Sequence, residues 1–276
     1  MTVWNALLLG LVQGITQLLP LSGTGHMAVL SNIFNMTAPQ DGHAFFAVLL
    51  RLGTLASICV VYWRDIVAMP TELMSLAGLS GEGGQPRRFG AVKLLFMLVM
   101  ASLPLFLVIP LYARLEILYS KSVFIGLALV LSGCVLYIAG RMEPGQKSAA
   151  GMSIYDALII GLCQCVAAIP GISLCGVAYT AGLATGLKQD FAVKFAFLLS
   201  VPAILGANMS DLAGAIRAGI DWGCFPAYLV GTAAAVVSGV AAIYLFKSIV
   251  KNGKLGSLAY YLWLLGVLSI ILSLIF

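Results

Sequence analysis

The chain has 276 residues, of which 61% are hydrophobic and only 9% are charged. Soluble domains carry about 25% charged residues, so this composition excludes an ordinary soluble protein. The net charge of +5 comes from basic residues scattered between apolar runs, whereas nucleic-acid binders concentrate them in patches. We therefore predict a single membrane domain over residues 1–276, with no nucleic-acid partner.

The beginning of the chain lacks the features of a cleavable signal peptide. The first basic residue is Arg51, so the positively charged segment that opens such a peptide is missing. We expect the apolar N-terminal stretch to remain in the mature protein.

Two long apolar segments, residues 3–35 and 154–187, are interrupted near their middle by proline and glycine. The interruptions, called the first and second break below, are residues 20–25 (PLSGTG) and 170–176 (PGISLCG). A straight helix cannot continue through such a sequence. Each segment is therefore predicted to form a re-entrant helix hairpin.

The remaining apolar runs are long enough to cross a bilayer, which takes about 20 residues. The predicted fold is an all-α polytopic membrane protein, and residues 66–90 are predicted to form its one sizeable cytoplasmic loop. The six predicted transmembrane helices cover residues 44–63, 91–112, 122–140, 191–207, 224–246 and 257–275.

The two broken segments resemble each other at an offset of 151 positions. Broken helices at corresponding places in two halves are typical of inverted-topology repeats with a site at the breaks. We predict repeats at about 1–140 and 150–276, the alternative being a chance likeness between apolar sequences. The matching pairs are Gly10 with Gly161, Leu11 with Leu162, Gln13 with Gln164, Ser22 with Ser173, and Gly25 with Gly176.

The distribution of basic residues predicts the orientation. With both broken segments as hairpins, nine lysines and arginines fall on one side and three on the other, and the richer side is cytoplasmic. Both termini are then predicted to lie outside. The nine are Arg64, Arg87, Arg88, Arg141, Lys147, Lys188, Lys247, Lys251 and Lys254, and the three are Arg114, Lys121 and Arg217.

The first break has the elements of an anion site. Ser22 or Thr24 is expected to cap a helix that runs from His26, whose free N–H groups and positive dipole end would face the break. Gly23 and Gly25 would let a phosphate approach the backbone, while Thr24 and His26 add side-chain donors.

The second break is poorer in donors, with Ser173 as its candidate cap. Arg51, which lies inside an apolar span, is the candidate for the missing positive charge. The alternative for Arg51 is a structural role with its head group at the interface. Gln13, Gln17 and Gln164 would supply uncharged hydrogen bonds, either to a ligand or between packed helices.

Metal-binding and acid–base groups are sparse in the sequence. No Asp or Glu precedes Asp41, and none lies between Asp156 and Asp190. The six cysteines fall mostly in apolar runs, and their spacing from the two histidines matches no zinc pattern. We predict no metal site and no cofactor, unless the protein hydrolyses phosphate, in which case a divalent metal is expected.

The run from Gly14 to His26 (GITQLLPLSGTGH), followed by residues 170–173 (PGIS), resembles the undecaprenyl-diphosphatase (bacitracin-resistance) family. The resemblance extends over the whole chain, including residues 52–53 (LG), 63–64 (WR) and 197–202 (FLLSVP). It implies an inverted-repeat fold with two re-entrant helix pairs and a lipid-linked phosphate bound where they meet. It also implies that the protein lies in the bacterial inner membrane.

The chain departs from that family's pattern at its chemical positions. The resemblance implies acidic residues where Gln13 and Gln17 stand, and an arginine where Leu174 stands. We infer that the usual hydrolytic mechanism is absent. The other departures are Gly23 and Cys175 for serines, Ala178 for threonine, and Arg51 for glutamine.

Three hypotheses follow. The first is a non-hydrolytic carrier that binds a polyprenyl phosphate, or a similar anionic lipid, and moves its head group between leaflets as a flippase. The second is an undecaprenyl-diphosphate phosphatase with displaced catalytic groups, such as His26. The third is a non-catalytic binding or regulatory subunit. Formation of a homodimer is left open.

Overall fold

The computed structural model describes residues 1–34, 43–77, 90–108, 118 and 121–275. Within these ranges every regular element is a helix, and no strand is present. The helices are α1 (Val3–Leu18), α2 (Gly23–Phe34), α3 (Ala44–Val61), α4 (Trp63–Leu76), α5 (Gly90–Ser102), α6 (Ser122–Ala139), α7 (Ile154–Cys165), α8 (Leu174–Ala184), α9 (Gln189–Ala218), α10 (Phe225–Lys251) and α11 (Leu255–Ile275). Short 3-10 turns at Leu103–Leu107, Val166–Ala168 and Trp222–Cys224 follow α5, follow α7 and precede α10.

Six helical segments are long and apolar enough to cross a membrane, which confirms the predicted all-helical polytopic fold. All six coincide with predicted spans. They are Ala44–Val61, Gly90–Leu107, Ser122–Ala139, Gln189–Ala218, Trp222–Lys251 and Leu255–Leu274.

Two predicted boundaries differ from the structure. Helix α9 continues for 30 residues to Ala218, well beyond the predicted end at 207. Its Asp211, which is half-exposed, pairs with Arg51 of α3 within this additional stretch. The predicted loop at 66–90 begins as the greater part of α4, which contains Pro70. Residues 78–89 of that loop lie outside the described part of the chain.

Small residues bring α1 against α10. A Cβ atom at Gly10 would collide with the backbone carbonyl of Gly231, and one at Gly14 would collide with the Ser238 hydroxyl. Ser238 also lies 3.5 Å from the carbonyl oxygen of Gly10. Close backbone approach through small residues is the usual way in which membrane helices associate. The small-residue patch around Gly231 therefore packs within this chain.

The second broken segment packs in the corresponding way. A Cβ atom at Gly161 of α7 would collide with the backbone carbonyl of Ala101 on α5. Gly10 and Gly161, which pair at the offset of 151, therefore each lie against a helix of the other half of the chain. A pseudo-twofold axis between the halves would produce this reciprocal packing. The inverted repeat itself stays a prediction.

The segment between the halves is tied to the end of α8. The amide of Lys147 donates to the carbonyl of Gly186 (3.0 Å), and the amide of Lys188 donates to the carbonyl of Lys147 (2.8 Å). The Lys147 ammonium also contacts both carboxylate oxygens of Asp156, at 2.9 and 3.0 Å. These contacts fix where α7 begins and hold the second broken segment in place.

Candidate functional site

The first break begins with a tight turn, and Ser22 at the end of that turn caps α2. Ser22 has a φ of 67°, a conformation that costs free energy for any residue with a side chain. Its hydroxyl accepts a hydrogen bond from the amide of Gly25 at 3.2 Å. Ser22 is therefore the cap, and α2 begins at Gly23, three residues earlier than the predicted start at His26.

The second break repeats this arrangement around α8. The Ser173 hydroxyl accepts a hydrogen bond from the amide of Gly176 at 3.2 Å, as predicted for a capping serine. Gly171, in the turn before it, has a φ of 96°, which glycine adopts without strain. Ser22 and Ser173, with Gly25 and Gly176, thus occupy equivalent positions in two capped helix starts.

The two breaks lie directly against each other. The amide of Gly171 donates to the Thr24 hydroxyl at 3.5 Å. A Cβ atom added at Gly25 would lie 3.1 Å from the Cα atom of Gly171, and one added at Gly176 would lie 3.2 Å from Pro20. The structure thus brings together the first-break residues and Ser173, as the sequence pattern predicted, and the contacts between the breaks are reciprocal.

Ser132 of α6 links the turns of the second break, and the sequence analysis missed it. Its hydroxyl donates to the carbonyl of Gly171 and accepts from the amide of Ser173, both at 3.0 Å. Ser132 is buried, so these bonds satisfy backbone groups that would otherwise be unpaired in an apolar environment. The available signal was a serine in the middle of a continuous apolar span.

His26 connects the first break to the last helix. Its Nδ1 lies 2.9 Å from the carbonyl oxygen of Ser22, and its Nε2 lies 2.9 Å from the hydroxyl of Tyr261. A carbonyl oxygen only accepts, so Nδ1 carries a proton and Nε2 of the neutral ring accepts from Tyr261. The two rings also stack, with centroids 5.7 Å apart. Tyr261 is 43% exposed, which gives this side of the site access from outside the protein.

The three predicted glutamines differ in their surroundings. The side-chain oxygen of Gln17 lies beside Gly23, at 2.6 Å from where a Cβ atom would stand, so Gln17 borders the first break. The backbone carbonyl oxygen of Gln17 lies 3.9 Å from the sulfur of Cys175 in the second break. Gln13 is buried in α1. Gln164 is fully buried in α7, and neither atom of its side-chain amide has a hydrogen-bond partner among the described residues.

Arg51 is placed away from the breaks, contrary to its predicted contribution of positive charge. Its guanidinium lies 2.6 Å from the carboxylate of Asp211 on α9. Ser200 lies 11 positions before Asp211 on the same helix. Its hydroxyl is 3.4 Å from the sulfur of Cys175 in the second break. At 1.5 Å per residue, about 16 Å of helix separates these two levels. Arg51 therefore neutralises a carboxylate within α9, a partner that the sequence analysis did not identify.

The geometry of the breaks is suited to an anion. Two capped helix starts meet, and each helix start carries N–H groups without an intrahelical acceptor and the positive end of a helix dipole. Hard divalent cations prefer carboxylate oxygens, whereas Gln17 and the hydroxyls of Ser22, Thr24 and Ser173 are uncharged. The residues described at the breaks therefore do not fit a resident divalent cation.

Comparison with known proteins is consistent with the resemblance seen in the sequence. A family model described as "Bacitracin resistance protein BacA" matches residues 6–268. Proteins named undecaprenyl-diphosphatase are 34% identical in Alkaliphilus metalliredigens, over the full length of both chains, and 32% identical in Desulforapulum autotrophicum, over 98% of each chain. A protein of the same name in Methanosphaera stadtmanae is 31% identical over 99% of each chain.

Proposed function

Because this chain belongs to the bacitracin-resistance BacA family of membrane proteins, we propose that its paired breaks bind the phosphate head group of a polyprenyl lipid. The observation that carries the proposal is the contact between Thr24 and Gly171, which joins two capped helix starts. Phosphate binding at helix N-termini needs only free backbone N–H groups and the helix dipole. The names of the relatives make undecaprenyl diphosphate the first lipid to test.

The residues at the breaks favour binding over cleavage. Gln17 borders the first break as a neutral amide, and an amide has no basic group with which to take a proton from water. Leu174 opens α8, and its side chain has neither a charge nor a donor with which to hold a phosphate oxygen. Arg51 is already paired with Asp211. On this proposal the protein holds the lipid diphosphate intact, and its movement between leaflets would be the flippase function.

Hydrolysis of undecaprenyl diphosphate is the second candidate, and the names of the relatives favour it. In that reaction His26 would act through Nε2, the nitrogen that now accepts from Tyr261. A head group would first have to displace that tyrosine. The hydroxyls of Ser22 and Thr24, 3.3 Å apart, would then bind the phosphate beside the imidazole.

The experiment that separates the two candidates measures binding and cleavage on one sample. The purified protein is given undecaprenyl diphosphate, with and without divalent metal, and both bound lipid and released phosphate are measured. Bound lipid without released phosphate supports the proposal. Release that is lost in His26→Ala establishes the diphosphatase, and absence of binding overturns both.

A restoration experiment tests whether the missing groups explain the absence of cleavage. Gln13→Glu, Gln17→Glu and Leu174→Arg are combined in one chain, with Gln164→Glu as a single control outside the family's acidic motif. On our proposal, the triple variant gains phosphate release and the control does not. Equal release by the unmodified chain and the triple variant would show that these positions do not limit the reaction.

A further inference from the structure

Away from the breaks, three side chains with metal-binding atoms converge at the start of α10. The ligand atoms of His43, Asp221 and Cys224 all lie within 4.8 Å of one another. His43 immediately precedes α3, whereas Asp221 precedes the 3-10 turn Trp222–Cys224 and Cys224 is the last residue of that turn. Because the histidine and the cysteine are 181 positions apart, no local spacing pattern would reveal this cluster.

We propose that His43, Asp221 and Cys224 bind a divalent transition metal of borderline softness, with Zn²⁺ as the representative ion. One imidazole, one carboxylate and one thiolate are a ligand set that suits zinc, which takes three protein ligands and leaves its fourth position to water. Mg²⁺ and Ca²⁺ prefer oxygen ligands throughout and fit this set poorly.

The surroundings orient each of the three ligands. The Nδ1 atom of His43 lies 2.8 Å from the hydroxyl of Tyr228, which leaves Nε2 free for a metal. The amide of Gly223 donates to one carboxylate oxygen of Asp221 at 3.0 Å. Metal-binding histidines and carboxylates usually have such outer hydrogen bonds, which hold the ligand in one orientation.

Cys224 is the N-cap residue of α10, so the start of that helix fixes the position of its sulfur. In the structure the thiol lies 3.1 Å from the second carboxylate oxygen of Asp221. Metal binding would release the thiol proton to solvent and replace this hydrogen bond by two metal–ligand bonds.

The distances require only a small adjustment. Zinc bonds of about 2.3 Å to sulfur and about 2.0 Å to nitrogen or oxygen place tetrahedral ligand atoms about 3.3 to 3.7 Å apart. In the structure the ligand atoms lie within 4.8 Å of one another. Side-chain rotation would therefore have to bring them about 1 Å closer together to reach the zinc geometry. Asp221 and the adjoining Trp222 are exposed, so the carboxylate can turn toward the other two ligands. The Met1 ammonium, which donates to the Cys224 sulfur at 3.3 Å, would have to withdraw.

The test uses full-length protein without a histidine tag, freed of metal by a chelator and titrated with Co²⁺. We expect one Co²⁺ per chain with a thiolate-to-cobalt charge-transfer band, displaced on addition of Zn²⁺. Cys224→Ser should abolish the band, and His43→Ala and Asp221→Asn should weaken binding at least tenfold. Cys59→Ser and Cys134→Ser are the matched controls and should leave the band unchanged.

A second measurement covers variants that fold poorly. Zn²⁺ should raise the melting temperature of the unmodified chain, because a ligand that binds only the folded state stabilises it. The same Zn²⁺ should leave the melting temperature of Cys224→Ser unchanged. Absence of the band in the unmodified chain, or a band that persists in Cys224→Ser, would overturn the proposal.

Discussion

The Thr24 hydroxyl accepts a hydrogen bond from the amide of Gly171, a residue 147 positions later in the chain. This contact joins the turn before α2 to the turn before α8. Neither turn belongs to a membrane-spanning candidate, yet together they place two helix N-termini at one point. The first prediction addresses this bond.

Replacing Thr24 by valine keeps its shape and removes the hydroxyl. We expect Thr24→Val to lower stability by about 1 kcal/mol, the usual contribution of one hydrogen bond, and to weaken binding of undecaprenyl diphosphate. Thr180→Val is the control, because in the described part of the chain the Thr180 hydroxyl bonds only to the Gly176 carbonyl of its own helix. Lipid affinity and thermal unfolding are measured on both, and equal lipid affinities would remove Thr24 from the proposed site.

The positive φ of Ser22 distinguishes it from Ser173, whose φ is −78°. Loss of either cap by substitution with alanine should cost about 1 kcal/mol. Ser22→Gly should cost less than Ser22→Ala, because glycine takes a positive φ without strain. At position 173 glycine should recover less than at position 22, because only its general tolerance at an N-cap applies there. Chemical unfolding of the four variants checks this, and an equal advantage of glycine over alanine at the two positions would contradict it.

The close approaches at Gly10 and Gly161 should make both positions intolerant of a single added methyl group. We expect Gly10→Ala and Gly161→Ala each to destabilise the protein by about 1 to 3 kcal/mol, the usual cost of overpacking. Gly206→Ala is the control, since a Cβ atom there meets nothing within 4 Å, and alanine should favour the helix. Unfolding midpoints of the three variants decide the matter, and a neutral Gly161→Ala would contradict the described packing.

Asp156, outside the six spans, should make stability fall at acidic pH. Burial alone would raise its pKa, but hydrogen bonds from the Ser153 amide and the Lys147 ammonium outweigh burial and hold the pKa below its usual value. A carboxyl whose pKa is lower in the folded state stabilises above its unfolded pKa, about 3.9, and loses this contribution as the pH falls. Asp156→Asn should therefore flatten the acid limb of the unfolding curve. Asp190→Asn, at an exposed position, is the control and should leave the acid limb of the unfolding curve as it is.

The pair of Arg51 with Asp211 should matter for stability and not for lipid binding. Arg51→Leu leaves an unpaired carboxylate in a membrane-spanning helix, so we expect a larger loss of stability than in the double variant Arg51→Leu with Asp211→Leu. Affinity for undecaprenyl diphosphate should stay unchanged in the folded fraction. Loss of that affinity in both variants would return Arg51 to the site.

Periodicity and composition were sufficient for the six spans, because long apolar helices between short polar segments leave few alternatives. The positions of both breaks could also be predicted, because proline and glycine are the residues that most often interrupt a helix. The capping serines could be inferred as well, although the helix after Ser22 begins earlier than expected. Each of these features depends on residues that are neighbours in the chain.

Partners from distant segments could not be inferred in this way. Ser132 and Tyr261 complete the breaks from α6 and α11, and no sequence spacing links them to the residues they contact. Asp211 likewise pairs with Arg51 across two helices. A lone basic residue in an apolar run shows only that some compensating group exists, and the packing of the bundle decides which group it is.

The packing of α1 against α10 has a consequence for biogenesis. During synthesis α1 leaves the ribosome long before α10, the helix that covers its small-residue face. Gly10 packs against Gly231, which is synthesised 221 residues later. The nascent α1 therefore lacks its packing partner until most of the polypeptide has been inserted. Truncated chains ending before α10 should therefore be targets for membrane quality-control proteases, whichever lipid the finished protein handles.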